Sequence, residues 1–214
     1  MTTLYLIRHA RSSWNAEGRW QGQADPTLDD VGQAQAIALA HFLRREPMIA
    51  VYSSPQLRAR QTAEVVAREH GLDVSFDDRL KERDVGAWSG LTEAEVRAKF
   101  PQQFTPTWWI DGPPGGESQK VVLERASAVF GEIVAGQPDG AHIAVISHGG
   151  ILNAYLRHVL GVPLAHPVAF RFDNTAIARL RMWPDRCQLL TLGEITHLAS
   201  MPKPAPGGAS QQVV

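Results

Sequence analysis

Leu4-Tyr5-Leu6-Ile7, followed at once by Arg8-His9, is the stretch whose reading decides the fold. An apolar run of this length with no polar alternation is what a strand buried on both faces of a parallel sheet requires. It ends in a cation and an imidazole, and the chain then turns polar through Ala10-Arg11-Ser12-Ser13-Trp14-Asn15. In open α/β sheets, ligands sit outside the carboxyl ends of the strands. Arginine is a permanent cation with a donor fork suited to phosphate. Histidine is a nucleophile or proton carrier near neutral pH. Alone, this pair is a weak signal, so its partners must come from elsewhere in the chain.

Outward from that strand, a polar loop runs from Ser12 to Asp30. The spacing of Val31, Ala34, Ala38 and Phe42 predicts a helix from about Asp30 to Arg45, N-capped by Asp29 or Asp30 and closed by Pro47. Ile49 to Ser53 is a second apolar strand. Ser54 then suits an N-cap and Pro55 the first helical position. That places Arg58 in the first turn of a helix, on the same sheet edge as Arg8 and His9. Thr62 and Val66 face inward, and His70-Gly71 ends the helix. A strand at Val74 to Phe76 leads to Arg79-Leu80-Lys81-Glu82.

Residues 84–118 are the least regular. A short helix is predicted over Leu91 to Phe100, then an aromatic, Gly/Pro-rich loop through Trp108, Trp109 and Asp111-Gly112-Pro113-Pro114-Gly115-Gly116-Glu117. It reads either as a surface connection anchored by two tryptophans or as a lid over a substrate. Val122, Ala126, Val129 and Ile133 mark an amphipathic helix ending near Gly136. His142 to Ile146 is a third buried strand, breaking into Ser147-His148-Gly149-Gly150 before a helix from Ile151 to Leu160. Val168 to Phe172, Ala176 to Met182 and Gln188 to Leu192 read as further strands, the last two as a hairpin.

The alternation predicts a three-layer, doubly wound α/β fold, with a mostly parallel sheet, helices on both faces and room for one antiparallel edge strand. Residues 1–200 read as one domain, with a lid-like insertion at about 84–118. Residues 201–214, rich in proline and glycine, read as a disordered tail.

Composition narrows the function. A chain of 214 residues with 44% hydrophobic and 20% charged residues can bury a full core. A net charge of -1 gives no electrostatic reason to expect nucleic acid or an anionic membrane as partner. Any phosphate must therefore be held by a local cluster of cations. A single cysteine, Cys187, allows no intrachain disulfide and fits a reducing compartment. With no leader-like start and no run of spanning length, a cytoplasmic location is expected. Oligomeric state is not legible.

Three strand ends thus deliver Arg8-His9, Arg58 and His148 to one rim. Two arginines and two histidines suit a doubly charged oxyanion, and Gly149-Gly150 leads into a helix whose free N–H groups favour an anion. Such a pocket supports attack on phosphorus by a neutral imidazole, giving a phosphohistidine and splitting one hard hydrolysis into two easier displacements. The leaving alkoxide needs a proton, and Glu82 is the candidate donor. Taken singly, Arg58 could be a solvated helix arginine, Glu82 a surface charge beside Lys81 and Arg83, and His148 a core histidine. Their convergence on one edge is what argues otherwise.

The chain resembles the histidine phosphatase superfamily, also called the phosphoglycerate mutase-like family. The resemblance rests on Arg8-His9-Ala10-Arg11-Ser12-Ser13-Trp14-Asn15, then Gln21-Gly22, Asp25-Pro26, Leu28, Gly32 and Gln35-Ala36. It continues in Ser53-Ser54-Pro55, Arg58-Ala59, Gln61-Thr62-Ala63, Glu82, Gly86, Gly90, Gly115-Gly116-Glu117-Ser118 and Ser147-His148-Gly149-Gly150. It implies His9 as the phosphorylated nucleophile, with Arg8, Arg58 and His148 as the phosphate pocket. Glu82 is implied as proton donor and Asn15 as a neighbour of the transferred phosphate. No metal or organic cofactor is implied. Ala10 replaces the usual glycine, which would strain the backbone if φ there were positive.

The family's cofactor-dependent mutases carry Tyr, Asn and Lys where this chain has Val85, Thr92 and Glu93, and Glu in place of Lys would repel an anionic substrate tail. The segment between Glu82 and His148 is also shorter than in mutases. A phosphatase acting on a small phosphate monoester, a phosphoric monoester hydrolase of the histidine acid phosphatase type, is therefore expected. Val85, Trp88, Trp108 and Trp109 suggest an aromatic-lined leaving-group pocket. The alternatives are a phosphoglycerate mutase and a phosphate-binding regulatory module with weak catalysis. A serine hydrolase lacks its nucleophile elbow, and a metal hydrolase lacks ligand spacing.

Overall fold

The first strand, β1 (Thr2–Arg8), is buried along its whole length. In the computed structural model, which describes residues 1–201, its alternate side chains enter two separate cores. Leu4 and Leu6 pack with residues of α6 (Gln119–Ala135) and α7 (Gly149–Val159) on one face. Tyr5 and Ile7 pack with α2 (Asp30–Leu43) and α3 (Leu57–His70) on the other. This period-two division is why the run carries no polar residue.

The remaining elements, in chain order, are α1 (Ser13–Ala16), β2 (Met48–Ser53), β3 (Val74–Phe76), α4 (Glu93–Lys99), α5 (Trp108–Asp111), β4 (His142–Ser147), β5 (Ile177–Met182) and β6 (Cys187–Glu194). The six strands form one sheet in the order β3-β2-β4-β1-β5-β6. β1, β2, β3 and β4 pair in parallel, β5 is antiparallel to β1, and β6 is antiparallel to β5. The one reversed strand is therefore β5, and it lies inside the sheet rather than at the expected edge, which β6 occupies. The predicted α/β class, with helices on both faces, is the observed one. No helix among the described residues is long and apolar enough to cross a membrane.

Three local expectations need correction. Val168 to Phe172 is not a strand. Its backbone polar groups are taken by side chains instead: Arg157 donates to the Val168 carbonyl, Asn153 bonds both the carbonyl and the N–H of Phe170, and Arg8 Nη1 donates to the Phe172 carbonyl at 2.6 Å. The N-cap of α3 is Gln56 rather than Ser54, and the Asp25 carboxylate accepts from Leu57 N–H at 2.5 Å in the capping role. Trp88 has no exposed surface and packs with Trp20, Phe104 and Trp108, inside a small aromatic core built by residues of the 84–118 segment together with Trp20. The expectation of a disordered tail falls, apart from Met201, outside the described residues.

Candidate active site

β2, β4 and β1 are adjacent in the sheet, so their carboxyl ends open on one crevice. His9 follows β1, and its N–H donates to the Ser147 carbonyl at 2.9 Å. Its Nδ1 lies 2.7 Å from the carbonyl of Ala10. A carbonyl only accepts, so Nδ1 carries the hydrogen and Nε2 keeps the free lone pair. The His148 ring, at the N-cap of α7, stands 5.1 Å from that of His9, centroid to centroid. Both its nitrogens are buried without a hydrogen-bond partner among the described residues.

Arg58 is fully buried in the first turn of α3. Its Nη1 donates to the Ala24 carbonyl at 2.7 Å and its Nη2 to Gly22 at 2.9 Å. Those bonds fix the guanidinium plane and tie down the loop before α2. The Nε atoms of Arg8 and Arg58 are buried without partners among the described residues. Glu82 accepts from Arg83 N–H at 2.8 Å on Oε1 and from Gly150 N–H at 3.3 Å on Oε2, so its carboxyl is held against the start of α7.

These groups share one cavity. Arg8, His9, Arg58, Glu82 and Gly150 line it, together with Arg83, Arg157 and the indoles of Trp20, Trp108 and Trp109. Four arginines face one carboxylate there, and none of the four makes an ion pair among the described residues. Burying cations without counter-ions is costly, and a bound anion offsets that cost. Burial lowers the pKa of Arg58 to about 10, which leaves it charged at neutral pH. Burial, reinforced by Arg58 and Arg8, holds His9 well below the ordinary imidazole value, and burial with Arg58 and His9 does the same to His148. Both rings are therefore neutral at pH 7.

Of the residues singled out from sequence, Arg8, His9, Arg58 and Glu82 line the cavity, and His148 is not among its lining residues, its ring standing against that of His9. Asn15 and Gly149 do not line it. Asn15 Oδ1 instead accepts from Ser12 N–H and from the Asn174 side chain, closing a capping box on α1. Ala10 carries no strain, since Thr175 is the only non-glycine residue with positive φ among those described. Arg83, Arg157, Trp20, Gln119 and Asn153 were not anticipated. Gly150, Asn153 and Arg157 sit at helical spacing on α7, a signal that was available. Trp20 lines the cavity, whereas Trp88, expected there, does not.

Two consequences are measurable. A Cβ on Gly150 would stand 2.4 Å from Glu82 Oε1, so Gly150→Ala must displace that carboxyl. The variant should keep its fold but lose on the order of 100-fold in turnover; wild-type turnover would show that the position of Glu82 does not matter. The depressed histidines also set a pH dependence. Unfolded imidazoles take up protons below the ordinary value of 6.5 while His9 and His148 stay neutral in the fold. Stability is thus full above pH 6.5 and falls as pH drops below it, by about 1.4 kcal/mol per pH unit for each proton taken up on unfolding. Urea denaturation at pH 7, 6 and 5 should show this decline, and a flat profile would contradict buried, neutral rings.

A mostly parallel sheet whose carboxyl edge gathers a buried histidine and buried arginines around one cavity defines the class, an α/β protein. The chain belongs to the histidine phosphatase superfamily (branch 1), whose profile matches residues 4–195. It is 37% identical over 203 residues to phosphoserine phosphatase 1 of Hydrogenobacter thermophilus, covering 92% of this chain and 95% of that one. It is 31% identical over 208 residues to a Salmonella choleraesuis protein named "Probable phosphoglycerate mutase GpmB", covering 92% and 95%. Among solved structures it resembles the mycobacterial glucosyl-3-phosphoglycerate phosphatase in complex with VO3, with TM-score 0.81 and 30% identity, covering 90% and 99%.

Proposed function

We propose that this protein hydrolyses small phosphate monoesters through a phosphohistidine on His9. The observation that carries this reading is the Nδ1–H bond of His9 to its neighbouring carbonyl, which leaves Nε2 as a nucleophile in a cavity whose four arginines make no ion pair among the described residues. Arg8 and Arg58, which line the cavity, hold the phosphoryl oxygens, and His148 stands against the His9 ring with both nitrogens unpartnered among the described residues. His9 Nε2 forms a bond to phosphorus as the bond from phosphorus to the ester oxygen breaks, and Glu82 in its acid form gives its proton to the departing alkoxide. Water then attacks phosphorus as the P–Nε2 bond breaks and returns the electron pair to the imidazole, Glu82 takes the water's proton, and inorganic phosphate leaves. The cations are already in place before charge shifts, which is the larger part of the rate gain.

On the leaving-group side, Arg83 is buried with Nη2 unpartnered among the described residues, and its guanidinium lies 5.4 Å from the Trp108 ring centroid. A leaving group carrying a second negative charge suits that arm. Phosphoserine and glucosyl-3-phosphoglycerate, named for two relatives, are molecules of that kind.

The mutase-named relative favours a second reading, transfer to another hydroxyl. Against it, Thr92 is the N-cap of α4, and Glu93 is exposed and paired with Arg97, so neither stands in the cavity. A panel of phosphorylated metabolites scored for released phosphate decides between them. Phosphate release from phosphoserine or phosphoglycerates, unaffected by chelator, is expected. Conversion of 3-phosphoglycerate to its 2-isomer without phosphate release would overturn the hydrolase reading, as would tight phosphate binding without hydrolysis.

A further inference from the structure

Thr175 is a β-branched residue at φ 60°, a left-handed conformation that such side chains rarely adopt. Strain of this kind persists only where the surroundings over-determine it, and it gathers at functional sites. Here the surroundings are the backbone of Arg8 and His9. Thr175 N–H lies 3.1 Å from the Arg8 carbonyl and 3.3 Å from the His9 carbonyl, and Asn174 Nδ2 donates to the His9 carbonyl at 3.0 Å. With Ser147, the last residue of β4, accepting from His9 N–H on the other side, the peptide units around the imidazole are clamped between the end of β4 and the turn that precedes β5.

The clamp has its own support from far along the chain. Thr175 Oγ1 donates to the Asn174 carbonyl at 2.7 Å, which uses its only hydrogen. His197 Nε2 lies 2.9 Å from the same oxygen, so Nε2 must be the donor there. The His197 ring belongs to the turn Thr196–Leu198 and stands 5.5 Å from the ring of Phe42 on α2, centroid to centroid. Its Nδ1 is buried without a partner among the described residues. Neither Thr175 nor His197 lines the cavity, and neither has a part in the displacement steps above.

We infer that Thr175 and His197 are positioning residues, a relay from the turn at 196–198 that fixes the strand end carrying Arg8 and His9. The inference rests on the hydrolase reading for its kinetic consequence, and on geometry alone for its structural one. His197→Phe keeps an aromatic ring against Phe42 but removes the donor. His197→Gln restores an N–H near the Nε2 position.

The test compares both variants with the wild type in the intact chain. Amide hydrogen exchange at Thr175 and His9 should be at least about tenfold faster in His197→Phe and return towards wild type in His197→Gln. The burst rate of phosphoenzyme formation should fall about tenfold in His197→Phe at saturating substrate, with KM changed less than about twofold, and recover in His197→Gln. Unchanged exchange, or an equal loss in both variants that merely follows Tm, overturns the relay. A wild type with neither burst nor turnover would sink the hydrolase reading, while the exchange comparison would still decide the relay.

Discussion

Replacing His9 with alanine should abolish turnover, with losses on the order of 10⁴- to 10⁶-fold against any phosphate monoester. The size follows from what the residue supplies. In the proposed mechanism Nε2 is the nucleophile, and its lone pair is kept free by the Nδ1–H bond to the Ala10 carbonyl. Removing the ring leaves Arg8 and Arg58 in place, since each is held by its own bonds to backbone carbonyls. His9→Ala should therefore still bind phosphate or vanadate while failing to turn over. Isothermal titration alongside a phosphate-release assay checks both halves. A mutant with near-normal rate would refute covalent catalysis at this position.

Glu82→Gln carries the second large effect, and its signature is a pattern rather than a single loss. Gln fills the same volume but holds no proton that an alkoxide can take. Alkyl phosphates such as phosphoserine should lose on the order of 10²- to 10⁴-fold, whereas p-nitrophenyl phosphate, whose phenolate leaves unaided, should lose under about tenfold. The amide can still accept from the N–H groups of Arg83 and Gly150 through only one oxygen, so a modest common loss is built in. Equal losses across both leaving groups would remove Glu82 as the acid.

Much of the fold was legible because burial on both faces leaves so plain a trace. Leu4 to Ile7 and His142 to Ile146 announce central strands, and the position of Arg58 after the second strand set it on the same edge. The Asp29 cap of α2 was equally readable, its side chain accepting from Gly32 N–H at 2.7 Å. Val168 to Phe172 misled because a strand-like pattern does not say who bonds the backbone, and here Arg8, Asn153 and Arg157 do. The tryptophans divided against expectation for a related reason. Trp88 and Trp20 carry the same local signal, and only packing decides which indole meets the cavity. Arg83 carries no mark in the sequence that sets it apart from a surface arginine, yet it is buried and lines the cavity. The Thr175–His197 contact joins residues far from His9 in sequence and leaves no periodic mark at all.

The most direct measurement is the phosphoryl group itself. Enzyme quenched in alkali during turnover and digested for mass spectrometry should carry one acid-labile phosphoryl group, on the peptide containing His9 and on its Nε2 by ³¹P NMR. A phosphoryl group on any other residue, or turnover under burst conditions with no phosphoenzyme at all, would contradict nucleophilic attack by that imidazole.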